Sequence, residues 1–532
     1  MARSAKFNQY LVSIHNPLSF GGTGADVVKK VVWFVTFGSF TYGYCSSIIA
    51  TTLAQPSFIT YMHLDTASNA AQLFGAVNGL FQAGGFLGSL SISMTADYLG
   101  RRKALMSGAL FALVGGALQA GSVDIAMYLV MRFITGLGVG MLIVMVPLYQ
   151  SEIAPPEIRG FIVSAHAIVL SVGYVVASWV GLGFYFVNAG GAQWRLPLAI
   201  QCVAPLILAA GSLWLPESPR WLIAKDRTED ALKSFRSTRG ESDDPNNPGA
   251  IQAEFELIVA QINHERHNQL SIMDLLKRPS MRTRFFIGFI IMFGYQCTGT
   301  QVINNYGPEL YKSLGFDTVQ QLLIQGGWIS TCPLMNIVCM FVIDRLGRTK
   351  LMMTGFLAIV AALVGECATV AVFQSTGHRG AAAGAVVFLF MHVLCTTFFI
   401  DGVTYVYATE IFPTPQRAKG AAFALSGQYC ATIIFLSSAP LAFQNIDWKY
   451  YLVFVVLSLG MFFVVLLTFP ETKNKTLEEL SAVFGDSVEG LTRQEEDELY
   501  RERGHHKDHH PDAIVPDDKT PARHLEVTSD KM

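Results

Sequence analysis

Apolar stretches of about twenty residues recur along most of the chain, divided by short polar turns. Residues 125–149, 285–306, 351–373 and 451–469 are each long enough, as helices, to cross roughly 30 Å of hydrocarbon. The pattern predicts twelve spans in two sets of six: 28–50, 71–92, 104–121, 125–149, 160–187 and 195–215, then 284–307, 321–343, 351–373, 381–408, 419–443 and 449–469. Between the sets, residues 216–283 are polar and partly helical. Ser218 followed by Pro219 reads as an N-cap with Pro at the first helical position. Phe255, Ile258, Val259 and Ile262 form an apolar stripe at helical spacing, expected to pack beneath the spans. Residues 241–249, acidic and rich in Pro and Asn, read as a flexible connector. After the last span, Thr476 and Glu479 resemble a capping box ahead of Leu480, Val483 and Phe484. The charged tail beyond about residue 489 reads as disordered.

The polar turns repeat. Asp97-Tyr98-Leu99-Gly100-Arg101-Arg102-Lys103 returns as Asp344-Arg345-Leu346-Gly347-Arg348-Thr349-Lys350, 247 residues later. Glu152 and Arg159 return as Glu410 and Arg417, 258 residues on, and Pro216-Glu217-Ser218 returns as Pro470-Glu471-Thr472 after 254. Near-constant spacing over half a chain means that a whole folding unit was duplicated. A parallel repeat of two membrane bundles is a transporter arrangement, with the solute site midway between the halves. The expected fold is therefore all-α: twelve transmembrane helices in two six-helix bundles, with a short cytosolic helical loop. The expected segments are 1–27 cytosolic, 28–215 and 284–469 as the bundles, 216–283 as the linker, and 470–532 as a cytosolic helix and tail.

Charged residues make up 15% of the 532, where soluble domains carry about 25%, so a soluble enzyme is disfavoured. Lys29, Lys30, Arg101–Lys103, Arg159, Arg345, Arg348, Lys350, Arg417 and Lys419 fall on one side of the spans; only Arg195, Lys312, Arg379 and Lys449 fall on the other. That asymmetry puts both termini and the linker in the cytosol. It also hides the sequon at Asn474 from glycosylation. The net charge of −2 gives no reason to expect a nucleic-acid partner. The eight cysteines lack CxxC spacing, so neither a metal site nor a disulfide frame is expected, and no cofactor. His505, His506, His509 and His510 belong to the solvated tail. The seventh span carries Gln296, Gln301, Asn304, Asn305 and Tyr306 around Gly299, a helix-break candidate. Amides this dense inside a membrane are costly unless they face a cavity. Asp401, His166 and Glu366 are intramembrane groups able to hold a proton.

Residues 30–485 resemble the sugar porter family of the major facilitator superfamily. The resemblance rests on Asp97-x-x-Gly100-Arg101-Arg102, Arg132, the 146–155 run from Val146-Pro147 through Glu152 to Pro155, Pro216-Glu217-Ser218-Pro219-Arg220 and Pro470-Glu471-Thr472-Lys473. Tyr405-Val406-Tyr407-x-x-Glu410-Ile411-Phe412-Pro413 is similar to the variant of fungal members. The resemblance implies a plasma-membrane transporter that moves a sugar (hexose, pentose or disaccharide) by alternating access, coupled to protons. A carrier of a polyol or quinate-like solute, a facilitative uniporter and a transporter-like nutrient sensor remain alternatives. No enzyme activity is implied.

By this resemblance, Asp97, Arg101, Arg102, Glu152, Arg159 and Glu217, with Asp344, Arg348, Glu410, Arg417 and Glu471, form a cytosolic gate. Its ion pairs would latch the cytosolic side, with Arg159 and Arg417 bridging the halves. Gln296, Gly299 and Tyr306 match the family's seventh-span motif. Gln301 stands where the family has Asn, Asn305 where it has Tyr, Tyr405 where it has Trp and Gln428 where it has Asn. These residues form the expected substrate pocket, with Ala167, beside His166, in place of a sugar-binding Gln. Proton-coupled members carry Asp after Gly-Tyr in the first span; here Gly43-Tyr44 precedes Cys45. Asp401, His166 and Arg132 are therefore the coupling candidates.

Overall fold

In the computed structural model, the described residues are 23–154, 159–187, 189–239, 250–267, 277–413, 416–473 and three positions between 480 and 484. The expected connector at 241–249, the capping box at 476–479 and the histidine tail lie outside them. The chain divides at Phe484/Gly485. The first unit is helical: α1 Thr23–Leu53, α2 Pro56–Tyr61, α3 Ala70–Leu99, α4 Arg101–Ala120, α5 Ile125–Ile153, α6 Arg159–Tyr185, α7 Ala192–Ile200 and α8 Val203–Gly211. The linker forms α9 Pro219–Ala224, α10 Thr228–Arg239 and α11 Ala250–His267. Then follow α12 Pro279–Gln296, α13 Thr300–Ser313, α14 Thr318–Leu346, α15 Arg348–Thr376, α16 Arg379–Thr396, α17 Gly402–Glu410, α18 Arg417–Ile446 and α19 Tyr450–Thr468. Among the described residues, ten segments are long and apolar enough to cross a membrane; one of them, Lys419–Thr468, takes in nearly all of α18 and the whole of α19. Helices suit this solvent because every backbone group is satisfied within the segment. Leu110, Phe111 and Val114 on α4 and Val456, Phe463 and Leu467 on α19 point their apolar side chains outward.

Three of the expected spans are interrupted, the seventh where its sequence predicts a break. The sixth breaks between α7 and α8 at Gln201–Cys202. Pro205 lies four residues after Gln201, and its ring clashes with the carbonyl at that position. The seventh breaks at Gly299, whose φ of 77° is left-handed and favours a residue without Cβ. The tenth passes through a π-turn at Thr397–Asp401, a local underwinding frequent at functional sites.

Ser218 caps α9 as its sequence predicts, its hydroxyl accepting from the Trp221 N–H at 3.3 Å. Phe255 and Ile262 of α11 are buried, but they cluster with Leu222, Ile223 and Phe235 of α9 and α10. The stripe thus serves the linker's own small core. The two halves meet along matched pairs: α3 on α18 and α6 on α14, with α1 also touching α13. α3 approaches α18 through Gly75 and Gly79; a Cβ at either position would collide with Ser437. Small residues allow such backbone proximity between membrane helices.

Candidate functional site

The duplicated motifs build two nearly identical clusters. Gly100 (φ 93°, ψ 163°) and Gly347 (φ 92°, ψ 155°) make the same turn into α4 and α15. That region is essentially restricted to glycine. Both helices then open with arginine, which opposes the helix dipole. A carboxylate caps each one. Glu217 Oε1 accepts from the N–H groups of Arg101 (2.8 Å) and Arg102 (3.1 Å). Glu471 accepts from those of Arg348 (2.9 Å) and Thr349 (3.2 Å) and from the Thr349 hydroxyl. Burial opposes ionisation of Glu471, but the Thr349 hydroxyl and the N–H groups of Lys473, Arg348 and Thr349 outweigh it and hold the carboxyl below its ordinary range. A depressed pKa stabilises the fold above the ordinary carboxylate value and ceases to do so as pH falls through the folded value.

The arginine side chains reach the next helix end. Arg101 Nε and Nη2 donate to Glu152 at 3.0–3.2 Å, and Nη1 donates to Asp97 at 3.0 Å. Arg348 Nε and Nη2 donate to Glu410 at 3.1 and 2.8 Å, and Glu410 also accepts from Thr472. A third matched contact was not given a role from sequence. Tyr149 donates to the Pro216 carbonyl (2.6 Å) and Tyr407 to that of Pro470 (3.0 Å). Its signal was present in the 258-residue spacing of the two tyrosines, the same as that of Glu152 and Glu410. These described ion pairs lie within a half, not between halves. Arg417 makes no described ion pair and its Nε has no hydrogen-bond partner; the side chains of Arg159 and Asp344 lie outside the described set. The Arg102 side chain is half-buried.

Polar residues from both halves converge elsewhere on the membrane helices. Asn336 of α14 donates to Ser171 of α6 (3.1 Å) and to Asp401 Oδ2 (3.3 Å). Asp401 also faces Tyr295 and Tyr42. Tyr295 stacks edge-on against Tyr405 at 6.3 Å, and Tyr405 donates to Gln428 Oε1 at 2.8 Å. Tyr174 of α6 sits between Tyr42, Tyr405 and Gln301. Gln301 in turn accepts from Asn305 through its backbone carbonyl at 2.9 Å. Asp401, Tyr405, Gln428 and Gln301 are thus in one neighbourhood. Tyr42, Tyr174, Tyr295, Ser171 and Asn336 belong to it too, but no local pattern distinguishes them from ordinary core residues.

The other candidates are placed differently. Gln296 is buried with its Nε2 unpartnered. The break after it is held to α16 by His392, whose Nε2 lies 2.8 Å from the Thr298 carbonyl. Tyr306 donates across the halves to Phe74 O (3.2 Å) and, within its own half, to Leu436 O (2.9 Å). Asn304 accepts from Gln325 on α14. His166 Nδ1 lies 2.7 Å from the Ser39 hydroxyl. Glu366 is buried beside Tyr311 and Tyr451, apart from the shared cluster. Arg132 is fully buried under the Phe81 ring, 4.1 Å from its centroid.

The model of the family described as sugar (and other) transporters matches residues 31–484. This chain belongs to the sugar porter family of the major facilitator superfamily. A sugar porter is a multi-pass membrane protein that works by alternating access, and transport, not catalysis, is its activity. Among relatives, the MFS-type transporter criB of Aspergillus cristatus is 36% identical over 87% of this chain and 94% of its own length. Hexose transporter 2 of Kluyveromyces lactis is 30% identical over 87% and 83%. The fold matches that of the E. coli proton:xylose symporter XylE, with a TM-score of 0.71 and 22% identity over 87% of this chain and 100% of that one.

Proposed function

We propose that this porter carries a sugar, coupled to protons, through a site at the interface of two six-helix bundles. The observation that carries the reading is the convergence of hydroxyls and amides from α1, α6, α12, α13, α14, α17 and α18 with one carboxyl, Asp401, from the π-turn. A sugar needs neutral hydrogen-bonding groups and aromatic faces, and Tyr42, Tyr174, Gln301, Tyr405 and Gln428 supply both. The matched contacts of α3 with α18 and α6 with α14 support two bundles of six related by duplication. The two helices in Lys419–Thr468, and α1 ahead of the ten spanning segments, support the count of twelve. Asp401 is the coupling acid in this reading. The gate residues stiffen the cytosolic ends, and the porter sits in the plasma membrane with both termini inside.

Uptake by transporter-null yeast across hexoses, pentoses, disaccharides and polyols, at two pH values, tests the reading. Sugar uptake that rises with external acidity is expected; a profile confined to polyols at all pH values would replace it. Orientation is checked with two cysteines, Thr66→Cys and Ser237→Cys, both at exposed positions. An impermeant thiol reagent on intact cells should label the first only.

Gln296→Ala should weaken substrate binding. One lost hydrogen bond is worth about 0.5–1.5 kcal/mol, or roughly a twofold to tenfold rise in the half-saturating concentration. Uptake at limiting substrate should fall more than uptake at saturation. An unchanged concentration dependence would move the site away from Gln296.

A further inference from the structure

The break in the seventh span is held from two sides. Between α12 and α13 the carbonyls of Cys297 and Thr298 have no backbone donor, and within a membrane span an unpaired carbonyl is costly. Side chains of two other helices supply the donors. The Ser458 hydroxyl of α19 donates to the Cys297 carbonyl at 3.3 Å, and His392 Nε2 of α16 lies 2.8 Å from the Thr298 carbonyl. A carbonyl only accepts, so Nε2 carries the proton. Nδ1 is buried with no hydrogen-bond partner, so a second proton on the ring would find no acceptor. Phe454, also of α19, fills the space before Gly299: a Cβ there would come within 2.8 Å of its ring.

Three hydroxyls extend the hold. Thr298 donates to the Tyr295 carbonyl and Thr396 to the His392 carbonyl, each at 2.8 Å. A hydroxyl has one proton to give, so both oxygens are left to accept from the Thr300 hydroxyl, at 2.9 Å and 3.2 Å. The chain thus runs from the break, through the first residue of α13, to the last residue of α16. Gln301 follows Thr300 directly, and the π-turn that ends at Asp401 begins directly after Thr396. His392, Thr298, Thr396 and Ser458 are all buried.

We infer that His392, Thr396 and Ser458 are positioning residues of the transport cycle: they socket the break between α16 and α19, so that Gln301 on α13 keeps its register with Asp401 at the end of the π-turn. α13 also reaches the other half, through the Tyr306 hydroxyl on the Phe74 carbonyl. A rearrangement of the halves therefore pulls on α13, and the socket passes that pull to the π-turn. A few residues at an element's end commonly serve as such a joint. The inference rests on the proposed sugar site, to which Gln301 and Asp401 belong.

The test uses the purified full-length porter, in detergent for amide hydrogen exchange and in liposomes for transport of a neutral sugar. His392→Leu and Thr396→Val should each speed exchange in two separate segments, 297–303 and 397–405. Each should also raise the half-saturating sugar concentration, His392→Leu by about tenfold, and lower the accumulation ratio, while the maximal downhill rate per folded porter stays near that of the wild type. His392→Gln, which keeps an N–H donor, should recover most of the difference. Detergent size-exclusion profiles report how much of each variant is folded. Faster exchange at 297–303 alone would separate the break from the π-turn and overturn the inference. A smaller yield of folded porter, with half-saturation and accumulation unchanged, would also overturn it and reduce these residues to packing. So would a His392→Gln variant as impaired as His392→Leu. Failure of the wild type to carry any neutral sugar would count against the proposed function, and the exchange pattern, which needs no substrate, would still decide whether the two segments are joined.

Discussion

Glu152→Gln is expected to reduce transport at least tenfold while the protein still reaches the membrane, and Glu410→Gln to reduce it by less. The ranking follows from exposure. Arg101 and Glu152 expose 12% and 9% of their side chains; Arg348 and Glu410 expose 11% and 30%. Removing one partner of a buried pair is costly chiefly because the other charge stays buried, about 3–5 kcal/mol when burial is complete. Solvent screens part of that at Glu410, and less at Glu152. Asp97 cannot compensate fully, since its own side chain is 76% exposed. The pair joins the start of α4 to the end of α5, and Glu217 and Tyr149 tie the same corner to the linker. Loss of Glu152 should therefore loosen one corner, not the whole half. A cysteine placed on the exposed end of α3 beside this corner, such as Tyr98→Cys, should become more reactive in Glu152→Gln membranes. Normal uptake and unchanged reactivity would reduce these residues to markers of topology.

The spans and the duplicated corners were legible because each rests on a local rule. Twenty apolar residues need a membrane, and a glycine followed by arginines at a helix start needs an acid nearby. The caps were less legible. By the resemblance Glu217 and Glu471 belong to the gate, but only the structure shows that they bind backbone N–H groups, which lack acceptors at a helix start. The interruptions were partly legible: Gly299 announced a break, whereas the π-turn at Thr397–Asp401 follows from packing that no short window contains. The shared cluster is the hardest case. Tyr42, Tyr174 and Asn336 sit on three different helices, and only the folded chain shows that they share a neighbourhood with Asp401. Gln296 and Tyr306 carry the family's motif, but the structure puts Tyr306 at the seam beside Arg132, while Gln301 and Tyr405 adjoin Asp401.

Asp401→Asn is expected to abolish pH-driven accumulation while downhill exchange of the same sugar continues. A carboxyl in a membrane helix is kept for pairing or for function, and this one has the second use available. Ionised, it only accepts hydrogen bonds; protonated, it gains a donor. Its partner Asn336 uses the same Nδ2 to reach Ser171 in the other half. A change of protonation at Asp401 is therefore felt at a contact that joins the halves, which is what coupling a proton to alternating access requires. In a regular helix, i, i+4 spacing puts Asp401 and Tyr405 on one face. In the structure the π-turn ends at Asp401, and both side chains do face Tyr42 and Tyr295. Asparagine keeps the size and one acceptor but cannot release a proton. If Asp401 instead binds a substrate hydroxyl, accumulation and exchange should fall together. Asn336→Leu separates the two roles further, since it cuts the link to Ser171 and leaves the carboxyl: coupling should weaken with exchange intact. Full pH-driven accumulation in Asp401→Asn would rule out the coupling role. His166, hydrogen-bonded to Ser39 between α6 and α1, would then be the next group to replace.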